Sequence, residues 1–221
     1  YNDAGGVIIE LNCNEAQAGE FAEMMSQQLP PLARIDAMHH EPLDLPLFSS
    51  FEIDVSQSGT VTTGCAPDAA TCPDCLTELW QPGDRRYQYP FINCTNCGPR
   101  LSIIRQIPYD RASTTMAEFT LCAACQQEYD NPADRRFHAQ PNACPDCGPY
   151  CWLETPDGEL VASESPFHTL GEALRDGLIV AIKGIGGVHL ACDATNEQAV
   201  KRLRERKQRP HKALALMASN I

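Results

Sequence analysis

Cys72-Pro73-Asp74-Cys75 and Cys94-Thr95-Asn96-Cys97 spell C-x2-C-x18-C-x2-C, and Cys122-Ala123-Ala124-Cys125 with Cys144-Pro145-Asp146-Cys147 repeat that spacing 50 residues later. The flanks repeat with them: Glu78 with Glu128, Asp84-Arg85-Arg86 with Asp134-Arg135-Arg136, Tyr87 with Phe137, and Gly98-Pro99 with Gly148-Pro149. Agreement at one fixed offset over this many positions is an internal repeat, so the middle of the chain holds two copies of one small module. A C-x2-C turn places two thiolates on one side of an ion and a second turn supplies the other two, the tetrahedral soft-ligand set that zinc takes. The spacing predicts two structural Zn2+ sites, with sequential pairing inside each repeat preferred and pairing across repeats left as the alternative. Glycine after Cys97 and Cys147 fits a knuckle whose next residue needs positive φ, and the paired arginines nearby suit the surplus negative charge of four thiolates. A module of about 50 residues buries too little apolar surface to fold unaided, so zinc is expected to supply most of its folding free energy.

On an exported chain the same cysteines would read as a disulfide framework. The N-terminal residues lack the basic-then-apolar pattern of a signal peptide, and no window approaches the ~18 to 20 apolar residues that span a bilayer. A cytoplasmic protein without a membrane segment is therefore expected, and structural zinc is preferred over disulfides and redox-active thiols. The remaining Cys13, Cys65, Cys151 and Cys192 read as buried small hydrophobes or inert thiols. His39, His40, His138, His168 and His211 have no second ligand at metal-like spacing and read as surface or structural. A formal net charge of −12, made more negative by four-thiolate sites, repels a phosphate backbone and argues against nucleic acid as a partner.

Outward from the repeat, residues 1–58 read as part of a small α+β sandwich. Val7, Ile9 and Leu11 alternate as a half-buried strand would, after a turn at residues 2–6. Asn14 suits the cap of a helix whose Ala18, Phe21, Ala22, Met25 and Leu29 share a face, ending at Pro30-Pro31. Short strands fit Arg34–Met38 and Phe51–Val55. Residues 59–71 read as a linker, 72–108 and 109–152 as the two zinc modules, and 153–221 as an α/β region. That last region has a helix over Phe167–Asp176, a buried strand over Leu178–Ile182, a glycine-rich turn and a basic helix over Asn196–Lys207. The apolar run Ala213–Met217 has no capping element behind it, and the chain reads as a piece of something longer.

The strings DRRYQYPFINCTNCGPR (84–100), PYDRASTTM (108–116) and DRRFHAQPNACPDCGP (134–149) resemble the central region of HypF-type carbamoyltransferases of hydrogenase maturation. The resemblance covers essentially the whole chain and implies an α+β multidomain order: a truncated acylphosphatase-like α/β sandwich, two small four-cysteine zinc-finger modules and the start of a YrdC-like α/β domain. A Kae1-like domain that completes the family's order is missing here. It further implies carbamoyl phosphate and ATP with Mg2+ as substrates, carbamoyl adenylate as intermediate, and the C-terminal cysteine of HypE as acceptor, on the way to the cyanide ligands of nickel–iron hydrogenases. In YNDAGGV (1–7), Asn2 takes the place of the catalytic asparagine of acylphosphatases, whose phosphate-cradling arginine loop is missing, so this piece alone is expected to be inactive. IVAIKGIGGVHLACDA (179–194) and KQRPHKALALM (207–217) resemble the start of YrdC-like domains, which makes Lys207, Arg209 and Lys212 the expected contacts to nucleotide and carbamoyl oxygens. Lys183 is a further anion contact and His189 a weaker candidate. Lys183-Gly184-Ile185-Gly186 stands where threonine-using relatives carry P-T-D/E-T, which fits a carbamoyl-only substrate. The competing reading is a zinc-ribbon module that docks nucleic acid or a partner protein through the arginines of the two DRR strings. A zinc-dependent redox chaperone is a third.

Overall fold

The computed structural model describes residues 1, 6–44, 46–54, 64–107, 109–163 and 165–218. They fall into two compact units, Tyr1–Tyr150 and Cys151–Ile221.

The first unit opens with helix α1, Glu15–Gln27. Asn14 caps it with a reciprocal pair: its Oδ1 accepts from Gln17 N–H at 3.0 Å and its own N–H donates to Gln17 Oε1 at 3.0 Å. Ala18, Phe21, Ala22 and Met25 are its half-buried face, as the periodicity predicts, while Leu29 is exposed. The strands expected on either side do not form among the described residues. Tyr1 and Ile8 exchange two backbone hydrogen bonds, the terminal amine donating to Ile8 O at 3.1 Å and Ile8 N–H to Tyr1 O at 2.9 Å, but Val7, Ile9 and Leu11 are exposed rather than half-buried. Arg34–Met38 and residues 51–54 run without a partner strand, and Val55 lies outside the described residues. A strand persists only where a neighbour takes its backbone groups, and none runs beside these segments among the described residues.

The repeats form the body of this unit. Helix α2, Pro73–Trp80, and helix α3, Ala123–Asp130, each start one residue after the first cysteine of a knuckle, with Cys72 and Cys122 as their N-caps. Between the repeats, 3-10 turns at Arg111–Ser113 and Thr115–Glu118 carry Arg111 inward. Its guanidinium donates to three carbonyls, those of Gln140 (2.6 Å), Asn142 (2.9 Å) and Phe119 (2.7 Å). The core joins both copies: Cys75, Tyr89, Ile92, Cys94, Cys97 and Met116 pack with Ala143 of the second repeat. The two modules are therefore one folded body and not two beads on a string.

In the second unit, helix α4, Pro166–Arg175, is capped by Ser165 and stopped by Gly177 at φ +78°, where Gly177 N–H and Leu178 N–H return to Leu174 O and Ala173 O at 2.9 Å each. Strands β1, Val180–Gly184, and β2, Gly187–Ala191, pair antiparallel around the Ile185-Gly186 turn, with Ile182 opposite His189 and Lys183 opposite Val188. The strand begins two residues later than Leu178, and it is largely exposed rather than buried, because a two-stranded ribbon offers no second layer among the described residues. Helix α5, Glu197–Arg206, starts at Asn196, whose Oδ1 accepts from Ala199 N–H at 3.0 Å, and ends at Lys207. Among the described residues no helix is long and apolar enough to cross a membrane.

Candidate metal centre

Each set of four cysteines converges within its own repeat. Cys72, Cys75, Cys94 and Cys97 bring their sulfurs within 4.8 Å of one another, as do Cys122, Cys125, Cys144 and Cys147. In the first set Cys72–Cys94, Cys94–Cys97 and Cys97–Cys75 are separated by 3.7, 3.8 and 3.5 Å; in the second the matching separations are 3.8, 3.7 and 3.6 Å. A tetrahedron with Zn–S bonds of about 2.3 Å requires sulfurs roughly 3.8 Å apart. The arrangement fits that ion, is far too wide for disulfides, and uses the sequential pairing. Four ligands close the coordination sphere, so neither site keeps a position for water or substrate. Where the thiols share protons among themselves, hydrogen bonds from Cys75 and Cys94 hold Cys97 down at about 3, while hydrogen bonds to Cys94 and Cys97 push Cys75 up.

The knuckles hold their shape through specific neighbours. Gly98 adopts φ +91°, as expected, and a Cβ there would lie 2.6 Å from the Cβ of Asn93. Gly148 differs: its φ is not in the left-handed region, and what excludes a side chain is space, since a Cβ would lie 2.5 Å from the Cβ of Ala143 and overlap the Tyr89 hydroxyl. Arg100 closes the first knuckle by donating to the carbonyls of Cys94 (3.1 Å), Thr95 (2.8 Å), Cys97 (3.2 Å) and Pro99 (2.7 Å).

The DRR strings cross over. Arg85 of the first repeat donates to the sulfur of Cys125 at 2.9 Å and of Cys122 at 3.6 Å, both in the second. Arg135 of the second repeat donates to Cys75 of the first at 2.9 Å. Arg86 grips Glu128 with both ends of its fork, at 2.9 and 2.6 Å, and gives its Nε–H to Ala143 O at 2.8 Å; Arg136 does the same with Glu78 and gives Nε–H to Asn93 O at 3.1 Å. Ala143 and Asn93 are themselves 50 positions apart, so the exchange repeats atom for atom. Burial alone would raise Glu128, yet the Arg86 hydrogen bonds and charge, helped by Arg136 and Arg85, bring it down to about 2. Glu78 is lowered likewise, against its own burial, by Arg136 and Arg135. The sequence marks both glutamates as repeated residues but gives them no role; their fixed offset from the arginines was the available signal.

Two family models match the chain: one described as HypF finger over residues 71–104 and 121–154, and one for Sua5, YciO and YrdC proteins, described as Telomere recombination, over 172–221. The chain is 53% identical over 223 residues to "Carbamoyltransferase HypF" of Rhodobacter capsulatus, an alignment that takes in 98% of this chain and 29% of that protein. It is 50% identical over 221 residues to the protein of the same name from Synechocystis, covering 100% of this chain and 29% of that one. Over its whole length this chain matches a segment of the HypF proteins. A crystal structure of full-length HypF in the phosphate- and nucleotide-bound form superposes with a TM-score of 0.88 at 44% identity, over 97% of this chain and 28% of that one. The HypF structure from T. kodakarensis gives 0.80 at 45% identity, over 94% and 26%. The chain thus spans a little under a third of the HypF relatives it matches, with the mixed α/β make-up, paired zinc fingers and YrdC-like start expected of that segment.

The other expected site residues are placed unequally. Asn2 lies outside the described residues. Lys207 caps the C-terminus of α5, and the turn after it brings Arg209 and Lys212 alongside, fixed by Arg204, which donates to Arg209 O at 3.1 Å and Lys212 O at 2.9 Å. Lys183 lies on β1, and among the described residues no hydrogen bond or ion pair joins its side chain to that cluster. His189 packs its ring beside Gly184. Cys13, Cys65 and Cys151 are exposed and Cys192 is half-buried, so of the two readings, buried small hydrophobe or inert thiol, the first does not hold for Cys13, Cys65 and Cys151.

Proposed function

We propose that this chain is the zinc-stapled central segment of a cytoplasmic carbamoyltransferase. Identity of about half over the whole chain to proteins named for that activity carries the reading. In the intact enzyme, carbamoyl phosphate is cleaved to carbamate at the acylphosphatase-like domain. The YrdC-like domain joins carbamate to ATP with Mg2+, releasing pyrophosphate and forming carbamoyl adenylate. The Kae1-like domain then passes the carbamoyl group to the C-terminal cysteine thiolate of HypE for conversion to a hydrogenase cyanide ligand. Three cations on one short turn after α5, at Lys207, Arg209 and Lys212, suit the nucleotide phosphates and carbamate oxygens of the middle step. The closed zinc sites act as structure and take no part in the chemistry.

The rival docking module needs the DRR arginines as a basic face. Arg86 and Arg136 are buried, and all four bind carboxylates or thiolates of the same unit. That use supports the enzyme reading over nucleic-acid binding. The deciding experiment is carbamoyl-phosphate-dependent exchange of labelled pyrophosphate into ATP by the full-length protein, compared with Lys207→Ala and Arg209→Ala. Loss of exchange in both variants is expected. Full exchange in both would remove the site assignment, and no exchange in the zinc-loaded parent would remove the adenylation step.

A further inference from the structure

Each repeat carries its arginines on the segment that its own knuckles enclose: Arg85 and Arg86 lie between the end of α2 and Cys94, Arg135 and Arg136 between the end of α3 and Cys144. The turn that presents them is closed locally. Gln88 N–H donates to Leu79 O at 2.8 Å with φ +56°, and Arg86 N–H donates to Asp84 Oδ1 at 2.7 Å. His138 N–H donates to Tyr129 O at 3.0 Å with φ +49°, and Arg136 N–H to Asp134 Oδ1 at 2.8 Å. A non-glycine residue in the left-handed region at the same place in both copies marks a conformation that each repeat must hold to present its arginines.

An ion at the first site ties Cys72 and Cys75, at the start of α2, to Cys94 and Cys97. It thereby fixes both ends of the segment bearing Arg85 and Arg86. Those guanidiniums reach Cys125, Cys122 and Glu128 of the second site, where they offset thiolate charge. The second ion does the same for Arg135 and Arg136, which reach Cys75 and Glu78 of the first. Thr95, inside the first site's second knuckle, adds a direct link by donating its N–H and hydroxyl to Arg135 O at 3.2 and 3.0 Å.

We propose that the two metal sites load and release as a coupled pair, each completed by the arginine turn of the other repeat; this rests on reading both cysteine sets as zinc sites. Coupling of binding free energies is reciprocal, so either ion raises the affinity for the other by one factor, on the order of tenfold or more. Arg85 and Arg135 are positioning residues for the pair and not ligands.

Zinc titration of the metal-free protein, with species counted by native mass spectrometry, tests this. At half saturation, independent equal sites leave about half of the chains with one ion, whereas tenfold coupling leaves roughly a quarter. Unequal affinities only enlarge the one-ion share, so depletion requires coupling. A one-ion share of about a quarter or less is expected for the unmodified protein. Joint replacement Arg85→Met and Arg135→Met should return it toward half while two ions still bind at excess zinc; if that variant folds poorly, Arg85→Lys with Arg135→Lys, which keeps charge but loses the fork, should move it part of the way. A share of half or more in the unmodified protein overturns the coupling, and an unchanged depleted share in a variant that binds two ions overturns the arginine route. Failure to take up zinc at any ratio overturns the zinc reading itself.

Discussion

The guanidinium of Arg135 stands 2.9 Å from the sulfur of Cys75, a residue 60 positions earlier and in the other copy of the repeat. The same guanidinium reaches Glu78 at 2.5 Å. Because Arg85 mirrors this contact on Cys125 and Glu128, the charge of each thiolate cluster is balanced by residues it does not own. Neither module is electrostatically complete alone, and the shared apolar cluster joins them as well.

Removing one member of such a buried pair should be costly. Arg86 is 1% exposed and holds Glu128, Asn142 Oδ1 and Ala143 O together. Arg86→Met leaves the half-buried Glu128 carboxylate with Arg85 as its paired cation and leaves Ala143 O without its donor, for an expected loss of ~2 to 3 kcal/mol in the zinc-loaded protein. Urea denaturation of zinc-loaded samples measures it. Arg105→Met, which breaks the exposed pair with Glu118, is the comparison and should leave the midpoint almost unmoved.

The Glu128 carboxylate gives a signed pH dependence. Its folded-state value of about 2 lies below the ordinary 4.5, so its contribution to stability is present above pH 4.5 and is lost as pH falls toward about 2. Glu128→Gln should therefore be less stable than the unmodified protein at neutral pH, and the gap should narrow below about pH 4.5. Denaturation midpoints of both proteins at neutral pH and at successively lower pH check this. A gap that is constant across that range would assign the loss to geometry and not to charge.

The cysteine spacing, the repeat and α1 with its Asn14 cap could be read from the sequence because each shows as a regular spacing of residue types along the chain. The crossing of the arginines could not, since a repeat shows that Arg85 and Arg135 are equivalent without showing which cluster each serves. The strands of the first segment were misplaced for a related reason: alternation at Val7, Ile9 and Leu11 describes a half-buried strand only when a sheet is present to bury one side. For Gly148 the motif copied the position of Gly98 but not its conformation; the demand there comes from Ala143 beside its own knuckle and from Tyr89 of the other repeat.

That difference separates two otherwise equivalent glycines. Gly98→Ala meets both a left-handed φ and the Asn93 side chain, and an expected loss of ~1 to 3 kcal/mol follows whatever its neighbours do. Gly148→Ala instead displaces the Tyr89 hydroxyl from Pro149 O, a 3.0 Å hydrogen bond. Combining it with Tyr89→Phe should cost less than the sum of the two single changes, by ~0.5 kcal/mol or more. A double-mutant cycle on zinc-loaded protein resolves the two cases, and strict additivity would contradict the contact.

Metal removal should act on the two units differently. In the first, three of the seven buried residues of the apolar cluster are the ligands Cys75, Cys94 and Cys97, so the core exists only while something holds the sulfurs together. In the second, α5 is anchored by Ala199 and Leu203 and carries none of the eight ligand cysteines. Chelation of zinc should therefore abolish amide-exchange protection at residues 92–97 and 142–147, together and not one site at a time, while protection within α5 stays as it was. Stepwise loss, with one knuckle region opening well before the other, would indicate that the crossed arginines do not tie the two sites together.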